Sequence, residues 1–74
     1  MDDRKRQKIL RQFGKKLREV RKGKGISIRG LADLAEIDYS NLNRIENGGT
    51  EAGICMIVAI ADALGIEPAE LLQK

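Results

Sequence analysis

The side chains with the greatest chemical capacity in this sequence are its cations, and they are unevenly placed. Residues 1–29 hold twelve Lys/Arg and three Asp/Glu, a charge of +9, whereas residues 30–74 hold two Lys/Arg and eight Asp/Glu, a charge of −6. The net +3 therefore conceals a dipolar chain whose first part attracts polyanions. Groups suited to covalent or metal chemistry are scarce. Cys55 is the single cysteine and histidine is absent, which excludes an internal disulfide, a Cys/His zinc site and a histidine-activated thiolate. Cys55 also sits in an apolar run, where a thiolate is disfavoured. With no nucleophile beside a base, no paired carboxylates and no metal constellation, the sequence predicts a protein that is not an enzyme and needs neither cofactor nor metal.

The elements that position these cations must come from 74 residues, enough for one small domain spanning 1–74. Its core is expected over about 9–73, with 1–8 extending the first helix. Hydrophobic residues at 42% and charged residues at 34% are the balance of a globular domain. Phe13 and Tyr39 are the only aromatics, so the core must be aliphatic. The longest apolar run, Ile54 to Ala61, is eight residues, far below the roughly 20 needed to cross a bilayer. No apolar segment follows the charged N-terminus as a secretory signal would require, and the expected location is the cytoplasm.

From Arg4 to Lys22, Ile9, Leu10, Phe13, Leu17 and Val20 recur every three or four residues, predicting a long helix with an apolar stripe among lysines and arginines. Asp2 and Asp3 favour its start, and Gly23 and Gly25 stop it. Ser27 is suited to cap a second helix, in which Leu31, Leu34 and Ala35 are expected to face inward until about Glu36. Asp38 is suited to cap a third, with Leu42 and Ile45 inward and Asn47, Gly48 and Gly49 at its end. The stretch Ile54 to Leu64 is too long for a typical strand and is closed by Gly65, which predicts a buried fourth helix. Pro68 begins a short fifth. Two short helices separated by three residues, in a domain basic at one end, match an arrangement that enters a DNA major groove.

The segment LADLAEIDYSNLNRIENG, Leu31 to Gly48, resembles the helix-turn-helix of lambda-repressor-like, Cro/cI/XRE-type transcriptional regulators. The resemblance extends from about Phe13 to Leu72, through LREVR before it and IADALGIEPAELL after it. It implies an all-α, compact five-helix domain that binds double-stranded DNA, usually as a homodimer on an inverted-repeat operator. The third helix would then read bases through Tyr39, Ser40, Asn43 and Arg44. Arg44 suits guanine O6/N7 and Asn43 suits adenine N6/N7. Phosphates would meet the amides of Ser27, Ile28 and Arg29, together with Asn41, Asn47 and Gly48.

Two positions depart from the family. Ile28 stands where Gln is common, which leaves that contact to the backbone or to Arg29. Glu36 stands where the turn usually has Gly; if φ is positive there, the substitution costs on the order of 1 kcal/mol. By resemblance, Arg21 and Glu46 form an ion pair that orients the third helix. Cys55, Met56 and Ala59 stand where the family is often polar, a surplus of apolar surface that is either extra core or, as favoured here, a dimer contact, and Ile66, Leu71 and Leu72 are candidates to extend the same patch.

The competing readings are an antitoxin-like or accessory subunit that binds another protein through the same fold, and a basic amphipathic surface helix for anionic membranes. The latter is disfavoured because Phe13, Leu17 and Val20 are needed to cover the core.

Overall fold

In the computed structural model, which describes residues 1–73, Asp2 begins the first helix by accepting a 2.8 Å hydrogen bond from the Lys5 amide. Helix α1 runs Asp3–Gly23, α2 Ile28–Ala35, α3 Tyr39–Glu46 and α4 Ile54–Leu64. A 3-10 helix, Pro68–Leu72, follows. Lys74, the last residue of the expected domain, lies outside the described residues. No helix among them is long and apolar enough to cross a membrane.

Each boundary has a local cause. Ser27 Oγ accepts from the Gly30 amide at 3.0 Å, and Asp38 Oδ2 accepts from the Asn41 amide at 3.2 Å, so both expected N-caps are made. Helix α4 ends at Gly65, whose φ of +71° is the left-handed closure that glycine permits. The fifth helical segment forms as a 3-10 turn rather than an α-helix. Its five residues are too few to support an α-helical nucleus, and Glu70 N–H donates to Glu67 C=O in the tighter i to i+3 pattern.

The core is aliphatic with one ring, Phe13; Leu17, Leu31, Leu42, Ile45, Ile60 and Leu71 are its most completely buried large side chains. They join all four helices and the 3-10 segment around one center, and burying each such side chain contributes about 1.5–3 kcal/mol before entropy is set against it. Two expected inward residues face out. Leu34 is 62% exposed, because the inward stripe of α2 runs Ile28, Leu31, Ala32 and Ala35, and Leu34 lies a quarter-turn or more off it. Ile9 is 42% exposed, because the domain beneath α1 begins only at Leu10.

Candidate nucleic-acid interface

The turn between α2 and α3 is three residues, and its geometry is set by Glu36. That residue is left-handed, φ 56° and ψ 45°. Ile37 N–H then donates back to Ala32 C=O at 2.9 Å and Glu36 N–H to Asp33 C=O at 3.2 Å, a Schellman closure with the half-buried Ile37 packed on the core. A non-glycine side chain in this conformation carries the strain expected for it. Asp38 follows in extended geometry and starts α3 at once.

Helix α3 has a buried face and an outer one, with Tyr39 at their boundary packed partly against the core. Leu42, Ile45 and Glu46 are buried, whereas Ser40 and Arg44 are exposed and Tyr39 and Asn43 half-buried beside them. The positions 39, 40, 43 and 44 form one outward strip at helical spacing. All four side chains expected to read bases therefore share one surface.

The buried face is locked from behind. Glu46 has no side-chain exposure, and its carboxylate accepts from Arg21 Nε at 2.7 Å and Arg21 Nη2 at 3.0 Å. Arg21 Nη1 donates to Ile26 C=O at 2.9 Å, tying the same guanidinium to the lead-in of α2. Arg18, a residue not singled out from sequence, donates to Glu46 Oε1 at 3.4 Å and to Asn47 Oδ1 at 2.9 Å. Among the described residues no buried side-chain polar atom is left without a partner, which is the condition under which a buried ionic network fixes geometry rather than destabilising it.

Gly14 supplies the remaining constraint. A Cβ built there would lie 2.4 Å from Glu46 C=O oxygen and 2.6 Å from that of Ile45, so α1 and the end of α3 touch backbone to backbone. The sequence carries one signal for this contact, since a glycine inside a 21-residue helix costs roughly 1 kcal/mol in propensity and calls for a packing reason.

The expected phosphate ligands divide differently. The amides at the start of α2 lie at a capped helix N-terminus, as a phosphate site requires. The Ile28 side chain packs against the core, so it offers only its backbone. Arg29 holds its guanidinium 4.2 Å from the center of the Tyr39 ring, bringing an expected clamp and an expected reader into one stacked pair across the turn. Asn41 is turned inward: its amide serves Asp38 and its side-chain nitrogen approaches Met56 Sδ at 3.6 Å. Asn47, exposed, spends its side-chain carbonyl oxygen on Arg18. Gly48, φ +75°, lies directly against Arg11 of α1.

Of the expected dimer-contact residues, Cys55 and Leu72 are exposed and Met56, Ala59 and Ile66 half-buried. Leu71 is a core residue at 1% exposure. A 3-10 helix repeats every three residues, so Leu71 stacks inward with Pro68 while Leu72 faces out at 66%. Ile54 at 79% and Val58 at 42% exposure add apolar surface to α4 beside Cys55.

Comparison with known proteins places this geometry. A helix-turn-helix family model matches residues 17–71. The chain is 42% identical to the restriction-modification controller protein C.AhdI from Aeromonas hydrophila, over 84% of this chain and 94% of that one, with a TM-score of 0.83. It is 28% identical to the clp gene regulator ClgR from C. glutamicum, covering 86% and 82% of the two chains at a TM-score of 0.83. The hypothetical transcription factor NHTF from Neisseria is 25% identical over 92% and 78%, at 0.85. No curated protein matches the chain.

Proposed function

The chain belongs to the helix-turn-helix family of DNA-binding transcriptional regulators, and from that premise we propose that it controls transcription in the cytoplasm by occupying a specific operator, as a homodimer on an inverted repeat with α3 in the major groove. The observation that carries this reading is the division of α3: a back face locked by Glu46, Arg21 and Gly14, and a front strip of Tyr39, Ser40, Asn43 and Arg44 held at fixed height. Arg44 pairs with guanine O6/N7 and Asn43 with adenine N6/N7. Arg29, stacked on Tyr39, and the amides at the start of α2 hold the flanking phosphates. The similarity to a restriction-modification controller makes genes of that kind the first place to seek the operator.

The dimer contact is assigned to the exposed apolar surface of α4, Ile54, Cys55 and Val58, with Leu72 beside it in the proposal. That surface also supports a second reading, in which a different protein chain covers it and DNA binding serves autoregulation.

Selection from a random duplex pool by the purified protein should converge on an inverted repeat, and the protein should have the mass of two chains in solution. Equal binding of selected and random duplexes at physiological salt would overturn the specific reading. A single-chain mass on and off DNA would overturn the dimer.

A further inference from the structure

Arg4, Lys8, Arg11, Lys15, Arg18 and Lys22 succeed one another along α1 at intervals of four, three, four, three and four residues. That alternation is the spacing of a single helical face, and every one of the six is exposed. The face lies about a third of a turn from the one that carries Leu10, Phe13, Leu17 and Arg21 into the core. After Asp3, α1 holds one carboxylate, Glu19, which borders this face between Lys15 and Lys22. The result is a cationic ridge about 27 Å long with a single carboxylate at its flank.

Two contacts fix the ridge against the end of the recognition helix. Arg18 donates to Asn47 at 2.9 Å, and Arg11 is the nearest neighbor of Gly48, so the ridge passes directly beside the residues that follow α3. Helix α3, with eight residues, is about 12 Å long and matches the width of a major groove of about 12 Å. The ridge is more than twice that length, and Arg4 lies about 10 Å along α1 beyond Arg11, which meets Gly48 just past the end of α3. Core packing does not account for this extension: residues 3–9 are all exposed.

We infer that the α1 ridge is a second phosphate-binding surface that follows the DNA backbone outside the bases read by α3 and lengthens the footprint of each half-site. The inference rests on α3 being the helix that enters the groove. Arg4, Lys8, Arg11 and Lys15 make the contacts, while Arg18 is held in the Glu46 network and anchors the ridge. These contacts carry no base preference.

The test compares two variants of equal charge. R4Q/K8Q/R11Q/K15Q empties the ridge, and K5Q/R6Q/K16Q/K24Q removes four cations from elsewhere. Binding is measured by fluorescence anisotropy as a function of salt on the duplex selected by wild type, and on the same duplex trimmed flush with the repeat. With about 0.9 of slope per phosphate contact, emptying the ridge should flatten the log–log salt dependence by about 3 to 4 for each bound chain, about 7 for the dimer, and the control by about 1 or less per chain. Wild type should lose affinity on the trimmed duplex, and the ridge variant should bind both lengths alike while still preferring selected over random sequence.

Equal flattening in both variants would overturn the ridge, as would specific binding by wild type and ridge variant with the same slope. Ridge-dependent co-sedimentation with phosphatidylserine vesicles and no change in DNA slope would assign the surface to membranes instead. A wild-type protein that binds no duplex would sink the α3 reading and the ridge with it.

Discussion

In the proposed reading, helix α3 and the first two turns of α1 are opposite solutions to binding the same kind of ligand. α3 contributes one cation, Arg44, and is held on three sides: by Glu46 against Arg21, by the backbone contact at Gly14, and by the capped turn at Asp38. The first turns of α1 contribute Arg4, Lys5, Arg6 and Lys8 and are held by nothing but their own helix and the Asp2 cap. Reading a base edge requires side chains placed to a fraction of an ångström, whereas attraction to phosphates falls off slowly over a Debye length of about 8–10 Å and tolerates motion. Constraint is therefore concentrated where discrimination is proposed, and charge where it is not.

The largest effect should come from removing the constraint itself. Glu46→Ala strips the carboxylate from a nearly buried guanidinium and leaves Arg21 uncompensated, which should cost about 3–5 kcal/mol and lower Tm by more than about 10 °C. Thermal melting followed by circular dichroism measures it. If Tm moved by less than about 3 °C, α3 would be no more constrained than the first turns of α1, and the contrast would collapse.

Gly14→Ala attacks the same end of α3 through sterics. The helix gains propensity from alanine, but the new methyl meets two carbonyl oxygens of the α3 backbone that no rotamer change can move. A net loss of about 2–3 kcal/mol is expected, together with a weaker hold on the selected duplex than the stability loss alone explains. The mirror experiment on α1, Lys8→Gln, should leave Tm within about 1 °C, since surface changes of that kind stay near ±0.5 kcal/mol or below.

These contacts also mark how far the sequence was legible. Ser27, Asp38 and Gly65 act within four residues of themselves, so their caps could be read directly, as could the inward stripe of α1 from Leu10 onward. The Arg21 and Glu46 pair was legible only through family resemblance, because 25 residues separate the partners. The α2 face was misjudged by one position: Leu31, Leu34 and Ala35 fit a helical face on paper, but Leu31 and Ala32 are the buried residues of α2 and Leu34 is exposed. Leu71 and Leu72 were both expected on one apolar patch, but adjacent residues of a helical turn point about a third of a turn apart, so Leu71 is buried and Leu72 exposed. The stacking of Arg29 on Tyr39 and the placement of Arg18 depend on how two elements meet, which neither periodicity nor composition encodes.

Within the interface the contrast can be sharpened by two arginines of equal charge. Arg44→Ala should cost about 1–3 kcal/mol per half-site of the selected duplex and relax the preference at one base position in each, with little change in salt slope beyond about 0.9 per half-site. Arg29→Ala should weaken selected and random duplexes by a similar factor, and Tyr39→Phe should leave the stack and this uniform component intact. Competition against single-base variants of the duplex separates the outcomes. A preference lost in Arg29→Ala and kept in Arg44→Ala would exchange the two roles.

The smallest effect tests whether α3 is positioned from its end or its beginning. Glu36 sits left-handed at φ 56°, where glycine is free of the Cβ strain and glutamate is not. Glu36→Gly relieves on the order of 1 kcal/mol in the folded state but returns part of that as backbone freedom in the unfolded chain. The net expectation is a stabilisation of 0 to about 1 kcal/mol, a Tm rise of at most about 8 °C. Affinity for the selected duplex should stay within about twofold once the loss of one negative charge is accounted for, because Glu46, Arg21 and Gly14 hold α3 from its other end. A stabilised variant that lost base preference would place the control of α3 in the turn, and a clear fall in Tm would mean that the glutamate side chain contributes more to the turn than its backbone strain costs.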